Sequence, residues 1–244
     1  MIKKFLIALN FLTIIPFKLK NISTEKFVES IYYFPFIGLI IGLILEIGFF
    51  LFSFCFPLFI VILLVLILEI FITGGFHLDG LADFTDGFMA GKNKQEILKI
   101  MKEPQIGVFG TLSLIIILSL KYCLLLNLQK HLFSILIMMP FLARWSIVYF
   151  SFISFPAQEQ GLGKLATQYK SKIGFILNFI FILIINWYFF KYFSLIILLF
   201  LILIITLIKF IVHRKIGGIT GDVLGASVEI IEISYLILLS IFLH

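Results

Sequence analysis

The feature that most limits what this chain can become is a succession of apolar runs, each close to twenty residues long, parted by short polar breaks. They fall at 31–54, 57–73, 107–126, 132–155, 173–190, 193–211 and 225–243. Crossing the hydrocarbon core takes about 20 helical residues. Lipid offers a backbone no hydrogen-bond partner, so each run is expected to close its own bonds as a helix. Composition agrees: 62% of the 244 residues are hydrophobic and 13% are charged, and the mean hydropathy is +1.20. A soluble domain would carry about a quarter of its residues as Asp, Glu, Lys or Arg. The expected fold is all-α: a polytopic integral membrane protein of about seven transmembrane helices, built as a single membrane-embedded domain over 1–244.

The N-terminal "MIKKFLIALNFLTIIPF" has the outline of a signal peptide but no small-residue cleavage site, and Pro16 and Lys18 end its apolar run early. It is expected to remain as a helix on the membrane interface, with a cleaved signal as the alternative. Cys55 and Cys123 have no metal-site spacing and read as inert buried thiols.

Basic residues in the connections orient such a chain, because they collect in cytoplasmic loops. One side receives Lys3, Lys4, Lys18, Lys20, Lys26, Lys92, Lys94, Lys99, Lys102, Lys164, Lys170, Lys172, Lys209, Arg214 and Lys215. The other receives Lys121, Lys130 and Lys191, a split of fifteen to three. The N-terminus and the three long loops, 74–106, 156–172 and 212–224, are therefore expected in the cytoplasm of a cell-membrane protein. The net charge of +6 reflects this bias and an attraction to anionic lipid heads or substrates. Nothing in the pattern suggests nucleic-acid binding.

Against this apolar background "HLDGLADFTDG" stands out at 77–87. Asp79, Asp83 and Asp86 are spaced i, i+4, i+7, which on a helix puts them within about 60° of one another. Carboxylates on one stripe beside a membrane repel, and a hard divalent cation resolves that repulsion. Mg²⁺ favours a few carboxylates together with water and phosphate oxygens. A solvated acidic face is the plainer reading, but the stripe abuts an apolar run and is punctuated by Gly74, Gly75, Gly80 and Gly87.

A second polar block, "GGITGDVLGASVEIIE" at 217–232, offers a glycine turn (Gly217, Gly218 and Gly221) that could cradle phosphate before a helix N-terminus. Asp222 there is either a site residue or a helix cap. Glu229 and Glu232 are i, i+3 neighbours on the same helix. Arg144 lies inside an apolar run and must snorkel, grip a substrate phosphate, or pair with a carboxylate such as Glu46 or Glu69. His77 is a candidate phosphate contact or an ordinary hydrogen-bonding histidine. His131, His213 and His244 form no constellation.

Together these residues resemble the cobalamin synthase, or adenosylcobinamide-GDP ribazoletransferase, family. The resemblance rests on "ALNFLTIIPF" at 8–17, "YYFPFIGLIIG" at 32–42, "GGFHLDGLADFTDG" at 74–87, "IMKEPQIGVFG" at 100–110, "ARW" at 143–145, "GLG" at 161–163 and "GGITGDVLGASVE" at 217–229. The family usually carries Asp–x–Arg before its Ile–Gly; here Glu103, Pro104 and Gln105 stand there, leaving Lys102 to supply charge. The resemblance implies a Mg²⁺-dependent phosphotransferase. Its substrates would be adenosylcobinamide-GDP and α-ribazole (or its 5′-phosphate), and GMP would leave. Asp79, Asp83 and Asp86 would be catalytic and metal-binding. His77, Lys102, Arg144, Gly217, Gly218 and Asp222 would contact substrate. A homo-oligomer is left open. The competing readings are a CDP-alcohol phosphotransferase, whose further aspartates are missing after Asp86, and a transporter, whose internal symmetry is not visible.

Overall fold

A computed structural model describes residues 1–19, 21–168 and 170–243. Lys20, counted above among the cytoplasmic cations, Tyr169 and His244 lie outside the described residues. Twelve α-helices are described: α1 (Ile2–Leu12), α2 (Thr24–Ser30), α3 (Phe34–Ser53), α4 (Leu58–Thr73), α5 (Phe76–Ala90), α6 (Lys94–Ile100), α7 (Val108–Asn127), α8 (Leu132–Ile153), α9 (Leu162–Thr167), α10 (Lys172–Phe190), α11 (Phe193–Ile216) and α12 (Gly221–Phe242). Among the described residues there is no strand, only a single parallel bridge between Pro156 and Ile219.

Each expected run is a helix. Six spans are long and apolar enough to cross a membrane, with α2 running through a short 3₁₀ turn into α3 as one of them. A seventh arises only if α4 and α5, bent by 88° at their junction, count together. α4 alone has 16 residues, short of the roughly 20 that a crossing takes.

The centre of the molecule is α8 and α12. Every α8 residue from Ile135 to Val148 is buried, and α12 is buried over most of its length. α3, α5 and α7 pack around this pair. The outer helices turn apolar stripes away from the protein, such as Ile176, Ile180 and Ile184 on α10 and Leu199, Leu203 and Leu207 on α11. Their i, i+4 spacing marks one face per helix, the face that lipid would wet. Cys55 and Cys123, expected to be buried, are both exposed: Cys55 lies just past the end of α3, and Cys123 lies on α7, where lipid rather than protein would cover it.

The junction between α4 and α5 sets the site. Gly74 and Gly75 both adopt left-handed backbone, at φ +64° and +69°, a pair of conformations that a Cβ would strain by roughly 1–2 kcal/mol per residue. The Gly75 N–H donates to Ile70 O at 3.0 Å, and the Ile14 N–H donates to Ile72 O at 2.8 Å, so the segment after α1 braces the bend. α5 is thereby laid between α12 and α7. Gly80 is where it meets α12: a Cβ there would stand 3.0 Å from Asp222 O and 3.2 Å from Gly225 Cα. Only a bare backbone lets the two helices come this close.

Candidate active site

The three aspartates of α5 descend from solvent into the protein. Asp79 is exposed, Asp83 half-buried and Asp86 buried. Asp86 is held by backbone: its Oδ2 accepts from the Gly107 N–H at 2.7 Å and its Oδ1 from the Gly110 N–H at 2.9 Å. These are free amides at the start of α7, where a carboxylate also meets the positive end of the helix dipole. Asp86 thus fastens α7 to α5, helped by a 3.0 Å contact between Thr85 Oγ1 and Ser113 Oγ.

What joins Asp79 and Asp83 at the open end is Asp222, brought over by the close approach at Gly80. Asp79, Asp86 and Asp222 all act electrostatically on Asp83, and Asp79 and Lys102 act on Asp222. Beside them opens a cleft of about 200 Å³ lined by Lys102, Asp222, Thr220, Gly221, Gln158, Gln160 and the turn at Gly161. Among the described residues no group of three or more His, Cys, Asp or Glu side chains is placed to hold a metal ion. Mg²⁺ does not need one, since it is held through one or two carboxylates plus water and substrate phosphates. Asp222 lines the open cleft, and Asp79 and Asp83 act on it or with it from α5, so one or two of these carboxylates would suit that mode; Asp86 is the aspartate also held by two backbone amides.

The glycine block shapes this cleft from behind. Gly217 ends α11 in left-handed backbone. A Cβ on Gly218 would stand 2.4 Å from Phe155 O. The Ile219 N–H donates to Phe155 O at 2.9 Å and the Ala157 N–H to Ile219 O at 3.0 Å. These two glycines therefore stitch the turn to the 155–157 strap and aim the start of α12 at the cleft. Thr220, not Asp222, caps α12, its Oγ1 accepting from the Val223 N–H at 3.2 Å. The Asp222 carboxylate, which lines the cleft, accepts from Thr220 Oγ1 at 3.3 Å and from its own backbone N–H.

Arg144 and His77 belong to a separate, buried layer. Arg144, 1% exposed, pairs tightly with Glu232 and stands 3.9 Å from Glu69. The structure gives it carboxylate partners. Its Nη2 also faces His77 Nδ1 at 3.5 Å. Lys121 completes the layer, reaching Glu229 at 2.8 Å, Glu69 at 3.6 Å and Glu232 most closely. Lys121, expected in an external connection, is instead a buried residue of α7, so the orienting split is fifteen to two. The signal was present in the sequence: a lone lysine well inside an apolar run calls for an internal partner, and Glu229 and Glu232, one turn apart, are that partner. Glu46 is not among the partners of Arg144.

Fold and site together define an integral membrane protein with a carboxylate-lined polar cleft where α5 meets the start of α12. Comparison with known proteins sharpens this. The family model described as cobalamin-5-phosphate synthase matches residues 4–240, and the chain belongs to that family. Relatives named adenosylcobinamide-GDP ribazoletransferase include one from Clostridium tetani, 36% identical over 95% of this chain and 93% of its own. Another, from Desulfitobacterium hafniense, is 34% identical over 96% and 95%. A third, from Acinetobacter baumannii, is 38% identical over 93% of each. No solved structure matches the chain. The alternatives of a CDP-alcohol phosphotransferase and a transporter are left without support.

Proposed function

We propose that this chain is an adenosylcobinamide-GDP ribazoletransferase, acting in assembly of the cobalamin nucleotide loop. A hydroxyl of α-ribazole, or of its 5′-phosphate, attacks the phosphorus attached to cobinamide. The new ester bond forms as the bond to GMP breaks, and GMP carries away the electron pair. Such a transfer depends on neutralising charge and aligning the two oxygens more than on covalent catalysis. The observation that carries the reading is the meeting of α5 and α12, which brings Asp222, at a cleft holding Lys102, into the electrostatic reach of Asp79 and Asp83.

In this reading one or two of the carboxylates Asp79, Asp83 and Asp222 would hold Mg²⁺ together with water and substrate phosphate, and the ion would supply positive charge to the diphosphate. Lys102, which lines the cleft with Asp222, shares that charge. An aspartate of the group accepts the proton of the attacking hydroxyl. Gly217 and Gly218 serve by directing the start of α12, and Asp86 by holding α7. The family membership and the loop-charge bias support a cytoplasmic N-terminus and cytoplasmic cleft in the cell membrane. The test is direct: purified protein in liposomes, given Mg²⁺, should release GMP only when both the GDP-activated corrinoid and α-ribazole are present. GMP formation from the activated corrinoid alone, or none with both, would exclude the reading.

A further inference from the structure

One strongly charged surface takes no part in the proposed reaction. A groove of about 520 Å³ opens where the connection from α5 to α6 meets the end of α11, and Lys92, Asn93, Phe210, Ile211, Arg214 and Lys215 are among its walls. It has no lining residue in common with the carboxylate cleft, and among the described residues no Asp or Glu lines it. Lys92 and Arg214 are exposed, and neither side chain has a carboxylate partner among the described residues. Glu96, the acid closest to Lys92 in sequence, is turned to backbone: its Oε2 accepts from the Lys92 N–H at 2.9 Å. Lys215 is held in place, its Nζ donating to Phe88 O at 2.9 Å and standing 5.4 Å from the centroid of the Phe88 ring. An ammonium carries three donors, so two are left for a ligand.

The apolar wall of the groove continues the lipid-facing stripe of α11. Leu203, Leu207 and Phe210 are 54%, 50% and 64% exposed, and they lead down the helix to Arg214. At 100° per residue these four positions point within about 60° of one another. The stripe that hydrocarbon chains would wet therefore ends on a guanidinium, about one turn beyond Phe210. Phe210 and Arg214 also border a second groove, of about 430 Å³, which adds Lys209 and His213. A soluble anion would meet the cations and leave the apolar wall in contact with water. A molecule with an anionic head and hydrocarbon tails matches both halves of the surface.

We propose that this surface is a binding site for an anionic phospholipid. The lipid phosphate sits among Lys92, Arg214 and Lys215, and the acyl chains run along Phe210, Leu207 and Leu203. Basic loops in general are drawn to an anionic leaflet. This site differs in having a fixed place, an apolar wall leading to it, and an unpaired guanidinium whose fork matches phosphate. The proposal stands apart from the transferase reading, and its test needs no turnover.

The probes are phosphatidylglycerol and phosphatidylcholine of identical chains, equilibrated in equal amounts with the full chain in detergent. Native mass spectrometry then counts the lipids each molecule retains. The unmodified chain should hold one phosphatidylglycerol in preference to phosphatidylcholine by roughly fivefold or more, the scale of one cation acting on an anionic lipid. Lys92→Gln combined with Arg214→Gln should remove that preference. Lys26→Gln combined with Lys172→Gln takes the same charge from the same side of the protein and should leave it intact. Glycerol phosphate in excess, which offers the head without the tails, should not displace the lipid. Equal retention of the two lipids by the unmodified chain would overturn the proposal. So would an equal loss in the two double variants, which would mean a diffuse field of charge, or displacement by glycerol phosphate, which would mean a site for a soluble anion.

Discussion

Asp79 and Asp86 stand two turns apart on one helix in opposite surroundings: one is exposed, the other accepts two backbone N–H groups. Their replacements should therefore fail differently. Asp79→Asn should keep membrane abundance and thermal stability while transfer is lost. Asp86→Ala leaves two amides of α7 without an acceptor and should lower stability by about 1–2 kcal/mol, the scale of a lost helix cap. Thermal unfolding in detergent, measured beside GMP release, separates the two; equal stability of both variants would contradict the assignment. The i, i+4, i+7 spacing made the stripe legible in the sequence. It could not tell which member would be engaged, because that depends on Gly107 and Gly110 arriving from a distant segment. Lys121 is a second case. Removing one member of a buried charge cluster leaves its partners uncompensated, so Lys121→Met should cost about 3–5 kcal/mol. Glu229→Gln added to it should recover part of that loss.

The helices themselves were readable, because apolar length and backbone satisfaction in lipid leave little choice. The bend at Gly74–Gly75 was visible only as two adjacent glycines; its 88° turn and the laying of α5 across α12 are products of packing. The resulting contact at Gly80 has no Cβ to spare. Gly80→Leu should push α5 off the start of α12 and separate Asp79 and Asp83 from Asp222. Turnover should fall at least roughly tenfold, about 1.4 kcal/mol of transition-state stabilisation, with the protein still inserted. Undiminished turnover in this variant would show that the two helices need not touch for the chemistry. The 217–222 block was likewise legible as a glycine turn. Its partner, the strap at 155–157, lies too far off in sequence to be read from spacing.

Over the whole molecule, the cleft and the basic loops share one end. Lys102, Gln158, Gln160 and Asp222 line the cleft, and each comes from a connection or helix start on the side that carries fifteen of the cations. Reporters fused at 92–95 and at 160–165 should be cytoplasmic and one at 128–131 external; a cytoplasmic 128–131 would reverse the topology. The central claim is that the reacting carboxylates come from two helices, α5 and α12. GMP release by Asp222→Asn in membranes, normalised to protein abundance, tests it most directly, since Thr220 rather than Asp222 is the N-cap of α12 and Asp222 reaches α5 through the α5–α12 contact. The account predicts normal abundance with activity reduced at least roughly a hundredfold, about 2.7 kcal/mol. Activity close to that of the unmodified protein would contradict it.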